Sequence, residues 1–348
     1  MRDQLRVGET LGNSTISVQD IIDRVAVAGD TSPQASPGAY GPKVCLSIAN
    51  NTMSDLLSNR FNWKWNSKNA QPFYTNSFQQ DYPQIGLVDV EWLEFMCWID
   101  INNTALPKPI SPASSTQVVR DLPRASNWAS QGSWPTSLCW MYNKDLSYGV
   151  WPGPNATYGA LITNAGQIAQ NPPMAILDAN GNILVLTTPN PALTGVTGAT
   201  EAVLPANSAE GTTVNDGSCV WTVAGPNSKG WRVWPLPGAT GPVYQIQVKY
   251  QVIPPRFSKL TDLISPIPDN YSQYFERGFE AYCMSKSPDP NVRARFDKAL
   301  ELWLSNMAQA AKQGDKEQSA YGLVPGSFPM DYAYPGGLRN PRNPATPY

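Results

Sequence analysis

The 348-residue sequence contains no histidine, the side chain most used near neutral pH as a general base and metal ligand. Ser-His-Asp and Cys-His nucleophilic centres and most zinc sites are thereby excluded. Five cysteines, Cys45, Cys97, Cys139, Cys219 and Cys283, stand singly without a CxxC pair, so zinc knuckles and dithiol redox motifs are absent and reduced, buried thiols are expected. No apolar run approaches the roughly 20 residues that span a bilayer, and Met1-Arg2-Asp3-Gln4 lacks the apolar core of a signal peptide. No membrane association is expected, and synthesis and retention in the cytosol are. Charge is also scarce: 15% of residues are charged and the net charge is −2, against a usual charged share of roughly a quarter. With no basic run, nothing in the composition draws nucleic acid or anionic lipid.

What is abundant is apolar and neutral. Hydrophobic residues make up 41% of the chain, with 33 prolines and 26 glycines, enough to bury a core and to punctuate it with many loops. Val18, Ile21, Ile22 and Val25 fall at helical spacing behind Ser17-Val18-Gln19-Asp20, a capping box in an Asp variant. After a Pro/Gly/Ser loop at 31–42, Leu46, Ala49, Met53, Leu56 and Leu57 form a second helical stripe running to about Arg60.

From Phe61 to residue 253 short, turn-broken aromatic runs predict mainly β structure. Its last strand, 243–252, sets Tyr244, Ile246, Val248, Tyr250 and Val252 against Val243, Gln245, Gln247, Lys249 and Gln251, a half-buried alternation. Within it Val150-Trp151-Pro152-Gly153-Pro154 is echoed by Val233-Trp234-Pro235-Leu236-Pro237, and residues 164–230 between them are almost free of charge. Asn180-Gly181 between Ala175-Ile176-Leu177 and Ile183-Leu184-Val185-Leu186 predicts a type I′ hairpin, and Asp216-Gly217 precedes Cys219-Val220-Trp221-Thr222-Val223. A small inserted β module at 164–230 is expected.

After Pro254-Pro255 the helical period returns with Tyr271, Tyr274, Phe275, Gly278, Phe279 and Tyr282 on one face. Asp289 and Pro290 then read as N-cap and first residue of a helix carrying Val292, Phe296, Ala299, Leu300, Trp303 and Met307, ending at Gly314. Residues 315–348 hold six prolines and no periodicity, so they are expected to form an extended arm whose anchors are Tyr321, Leu323, Phe328, Met330, Tyr332, Tyr334, Leu338 and Tyr348.

The expected fold is α+β. A four-helix unit comes from residues 1–60 and 254–314, with core positions Ile21, Ile22, Leu56, Tyr274, Phe275, Phe279, Phe296 and Trp303. A central antiparallel β domain comes from 61–163 and 231–253, carrying the inserted module. No catalytic, metal or cofactor-binding residue emerges, and no cofactor is expected. Asp81, Asp89, Glu91, Glu94 and Asp100 are close enough in sequence to suggest paired carboxylates of a glycosidase, but solvated strand edges explain them more simply. Trp140, Trp151, Trp221, Trp231 and Trp234 suggest either an aromatic platform or core packing, and packing is preferred. Asp178-Ala179-Asn180-Gly181-Asn182 lacks the twelve-residue pattern of a calcium loop. Lys286, Arg293, Arg295 and Lys298 read as a solvated helical face.

Leu56-Leu57-Ser58-Asn59-Arg60-Phe61-Asn62-Trp63-Lys64-Trp65-Asn66, Gln79-Gln80-Asp81-Tyr82-Pro83 and Ile267-Pro268-Asp269-Asn270-Tyr271-Ser272-Gln273-Tyr274-Phe275-Glu276-Arg277-Gly278 resemble the phage head-to-tail adaptors, the family of the podovirus tail tubular protein A. The resemblance spans roughly residues 14–100 and 231–312. It implies a non-enzymatic virion protein of the neck, assembled in the host cytoplasm, that forms a ring of twelve subunits. Its partners would be the portal protein, tail or nozzle proteins and its own copies, with DNA passing through the lumen without specific binding. A different class of function, a β-rich tail or receptor-binding protein recognising a host glycan through the insert, is the alternative.

Overall fold

The computed structural model describes residues 14–31, 41–58, 61–100, 107–112, 134–158, 172–188, 194–237 and 243–321. Helices and predominantly antiparallel sheets make it an α+β protein. The chain falls into a helical unit, drawn from Met1–Lys68 and Gln251–Ser327, and a β unit within Asn69–Tyr250.

In the helical unit, α1 is Val18–Thr31 and α2 is Pro42–Leu56. The capping box closes in both directions: Ser17 N–H donates to Asp20 Oδ2 (2.8 Å) and Asp20 N–H to Ser17 Oγ (3.2 Å), satisfying donors that the first helical turn leaves without intrahelical partners. Helix α3 is Ser272–Ser285, the single-turn α4 is Pro290–Arg293 and α5 is Phe296–Tyr321. Asp289 caps α4 by accepting from Asn291 N–H at 2.8 Å. The expected single helix from Pro290 to Gly314 is thus two helices, interrupted at Ala294 and Arg295. The second passes through Gly314 because a helix-interior glycine costs only about 1 kcal/mol relative to alanine. The arm expected from residue 315 is therefore helical through Tyr321.

One apolar cluster holds this unit together. Ile21, Ile22, Leu56, Phe275, Phe279 and Trp303 are buried in it and Tyr274 packs against it; Phe296 is half-buried, with its ring 5.6 Å from that of Tyr282. Gly278 allows α3 and α5 to approach: a Cβ there would lie 2.2 Å from Trp303 Cζ2. Trp303 completes the contact by donating its indole N–H to Tyr274 C=O at 2.7 Å.

The β unit contains three principal sheets. The first orders Ser67–Asn69, Tyr244–Val252, Val90–Asp100 and Lys108–Pro109, with Phe73–Tyr74 also paired to Tyr244–Val252. Tyr244, Ile246, Val248 and Tyr250 are buried as alternation requires. The second orders Asp81–Pro83, Lys229–Trp234, Ser137–Tyr142 and Ser111–Pro112. The third orders Thr213–Asp216, Cys219–Val223, Ile183–Thr188 and Ala175–Leu177, and belongs to the insert.

The insert's core also takes Tyr158, with Trp151 packed against it, both before residue 164. Lys229 and Gly230, within the expected insert, instead begin the central strand of the second sheet. Val233 of the repeated motif is buried in that strand while its echo Val150 is 79% exposed, so the two copies serve different settings. At the predicted hairpin, Gly181 N–H bonds to Asp178 C=O at 3.0 Å and Gly181 alone there has a positive φ (79°). The turn is therefore a type I turn closed by a left-handed glycine rather than type I′, which needs two positive φ values.

Candidate functional site

The five carboxylates weighed as a catalytic group are dispersed among separate partners. Asp81 is neither solvated nor at liberty. It is 3% exposed, Arg232 is 1% exposed, and the guanidinium grips it through Nε–Oδ1 and Nη2–Oδ2, both 2.6 Å, while Ser147 N–H adds a third bond to Oδ2 at 2.6 Å. Arg232 sits on the central strand of a sheet, opposite Asp81 in register, where two charges persist only as a bonded pair. The hydrogen bonds that Arg232 donates to Asp81 raise its pKa further against the opposing effect of burial. Glu94 pairs with Lys249 at 2.7 Å and Asp89 accepts from Tyr250 Oη at 2.8 Å. Asp100 lies at the end of the Val90–Asp100 strand.

Glu91 is the exception. Its Oε2 is buried without a hydrogen-bond partner, and burial raises its pKa against the pull of Lys229. Lys229 is itself buried, donates to Val90 C=O and lies 4.4 Å from the Trp140 ring centroid. Burial lowers its pKa, opposed by Glu91 and Asp89. Such a desolvated acid–base pair is the type of perturbed group found at active sites, yet neither residue lines either of the two described cavities.

The tryptophans do not form one platform. Trp221 and Trp231 are fully buried, while Trp140, Trp151 and Trp234 are half-buried. Trp151 and Trp221 both donate indole N–H to Asp216 Oδ2, at 2.9 and 3.1 Å. Asp178 accepts from Asn180 N–H, Asn182 N–H, Asn182 Nδ2 and Leu204 N–H at 2.8–3.0 Å, so its loop is organised around backbone donors. Burial alone would raise the Asp178 pKa; those bonds more than offset it and hold it low. Among the described residues no group of three His, Cys, Asp or Glu side chains is placed to hold a metal ion, and no helix is long and apolar enough to cross a membrane.

All five cysteines are buried thiols outside any disulfide. Burial pushes the thiols of Cys97, Cys139 and Cys219 up to about 11 and Cys283 to about 12, which keeps them protonated and weakly nucleophilic. Lys286, Arg293, Arg295 and Lys298 are exposed around the α3–α5 turn. Tyr321 ends α5; the remaining arm anchors, Leu323, Phe328, Met330, Tyr332, Tyr334, Leu338 and Tyr348, lie outside the described residues.

The best-built cluster is aromatic. Trp63 is buried, donates Nε1–H to Leu56 C=O at 2.7 Å, and stacks among Trp65, Tyr271 and Tyr274 with ring centroids 5.3, 5.8 and 6.2 Å away. Trp65 and Tyr271 are 6.0 Å apart. Nearby, Gln251 Nε2 donates to Asn62 Oδ1 (2.8 Å) and Trp63 C=O (3.1 Å), and Asn66 Nδ2 donates to Gln251 Oε1 (3.2 Å). The exit from α2 and the entry to α3 are thereby locked to each other. The sequence matches no protein-family model and has no significant match among curated proteins.

Proposed function

We propose that this chain is a structural head-to-tail adaptor of a tailed phage, a ring-forming subunit that joins the portal to the tail and leaves a channel for DNA. The observation that carries the reading is the aromatic lock. Leu56 to Asn66 and Ile267 to Gly278, two of the stretches that resemble the adaptor family, lie far apart in sequence yet pack on each other through Trp63, Trp65, Tyr271 and Tyr274. The bonding of Asp81 to Arg232, Glu94 to Lys249 and Asp89 to Tyr250 further favours structural over catalytic use of these carboxylates.

An adaptor binds its own copies head to tail, so that the contact closes into a ring. The portal and a tail or nozzle protein are its other partners, and twelve subunits is the expected number. In this reading the segment beyond Tyr321 supplies the portal anchors. Its prolines lower the entropy lost on docking and its aromatics fill partner pockets.

Native mass spectrometry and negative-stain imaging of the full chain, alone and with the portal protein of the same phage, test the proposal. Closed rings of one stoichiometry, stacking on portal rings, are expected. A chain truncated after Tyr321 should keep its helix content and its melting temperature while losing most portal binding. A protein that stays monomeric with and without portal overturns the reading.

A further inference from the structure

Strands of all three sheets wall one cavity of the β unit. Phe73–Tyr74 comes from the first sheet, Pro83 from the edge of the second, and Ala175 with residues 185–187 from the insert. The cavity measures about 360 Å³, within the range of ligand sites, roughly 300–1,000 Å³. Gln71, Pro72 and Thr187 on its wall are exposed, so it opens to solvent. Among the described residues no Asp, Glu, Lys or Arg lines it, and an ionic occupant would lose its hydration without gaining a counter-charge.

The wall is apolar with neutral polar groups beside it. Pro72, Ile85 and Met174 keep carbon surface partly accessible, while the exposed Gln71 and the half-buried Gln84 carry side-chain amide donors. Tyr74 Oη accepts from Gln245 Nε2 at 3.0 Å, which leaves its own proton to be donated. Donors set among proline and aromatic surfaces suit a peptide in polyproline II geometry. Such a backbone has no internal hydrogen bonds, so its carbonyls are open to accept, and its prolines are already fixed in the bound shape.

The chain carries a peptide of this kind. Residues 322–348, outside the described residues, hold six prolines, and from 322 to 335 the only charge is Asp331, among Leu323, Phe328, Met330, Tyr332 and Tyr334. At about 3.1 Å per residue the segment reaches roughly 80 Å beyond Tyr321, several domain radii. Its tether holds it near a β unit at an effective concentration on the order of millimolar, an advantage that no ligand drawn from solution shares. We propose that residues 322–335 dock in this cavity, their prolines and aromatics against Pro72, Tyr74 and Met174 and their carbonyls accepting from Gln71 and Tyr74. The proposal stands apart from the adaptor reading, in which Leu338 and Tyr348, beyond Gly336-Gly337, remain for the portal.

Photocross-linking in the full chain, without portal, tests the docking, with p-benzoylphenylalanine in place of Thr187 on the cavity wall. Cross-links mapped by mass spectrometry are expected within residues 322–335. They should fall to background when Phe328→Ser, Pro329→Ser and Met330→Ser are combined, and in Met174→Glu, which sets a charge on the wall. The triple variant should keep the parent's helix signal and melting temperature, which separates loss of docking from loss of fold. Absence of cross-links to 322–335, or cross-links to any other part of the chain in their place, overturns the proposal. So do cross-links that the triple substitution leaves unchanged, since those would be chance collisions of a tethered segment. Ring formation is measured separately, so the two proposals fail independently.

Discussion

The helical unit and the β unit solve the same problem by different chemistry. In the helical unit the backbone satisfies itself, so the side chains of Ile21, Leu56, Phe275, Phe279 and Trp303 are left to form one apolar cluster. In the β unit the strands are short and the connections long, and loop N–H groups must find partners elsewhere. Carboxylates supply many of them. Asp178 gathers the 178–182 turn and Leu204, Asp216 holds Gly198 N–H and two indoles, and Glu210 accepts from Gly86 N–H, Gly225 N–H and Ser228 Oγ. A sequence poor in charge thus buries Asp178 and Asp216 and keeps Glu210 exposed, and each organises a segment.

If the contrast is right, the largest effect will come from the buried pair of the β unit. Asp81→Ala leaves Arg232 buried and uncompensated, which should cost about 3–5 kcal/mol. Denaturant unfolding followed by tryptophan fluorescence, beside the far-UV helix signal, measures it. The comparison sharpens if the β unit unfolds earlier while the helical transition stays put, and it breaks if both move together.

A smaller loss is expected in the helical unit from Gly278→Ala. The added methyl collides with Trp303 and Thr52, and overpacking of this kind costs about 1–3 kcal/mol. Here the helix signal should carry the change. Retention of full stability would mean that α3 and α5 can separate without penalty.

The smallest effect concerns acid. The folded Asp178 pKa is held below its ordinary value, and so is that of Glu210, whose bonds from Gly86, Gly225 and Ser228 outweigh burial. Stability from both is therefore fully present above the unfolded carboxylate values, about pH 4, and lost as pH falls from there through the lower folded values. Asp178→Asn should destabilise the β unit by about 1 kcal/mol at neutral pH, with the gap from the parent closing as the solution is acidified. A gap that stays constant with pH would remove ionisation of Asp178 from the account.

The helices were legible in the sequence because their signals are local. Ser17 to Asp20 and Asp289-Pro290 announce helix starts within a single turn, and the 3.6-residue period selects the buried face. The position of the hairpin at Gly181 was equally readable, and Asp216-Gly217 was readable as the residues before a strand; that they close a hairpin was not. Gly217 takes φ 63° at the first place of a two-residue loop, where an added Cβ would lie 2.4 Å from Val196 C=O. The turn type at Gly181 was misjudged, because a type I turn with one left-handed glycine and a type I′ turn share the same residues. Of the candidate sites, the aromatics at 63, 65, 271 and 274 were visible as motifs, but neither their mutual packing nor the positive φ of Phe78 (59°) was. A positive φ leaves little mark in a sequence when the residue that adopts it is neither glycine nor asparagine.

By itself the sequence determined the α+β order, the helix faces and caps, and the exclusion of histidine- and CxxC-based chemistry. All of these follow from residue types and spacings within one or two turns of chain. Only the tertiary structure decided that Arg232 would be buried on Asp81, that Trp63 would meet Tyr271 and Tyr274, and that strands of three sheets would wall an uncharged cavity. Alternation along a strand tells which residues share a face. Whether that face meets water, a sheet or a charge is set by segments more than a hundred residues away, and the energy of burying a charge depends on that distant partner.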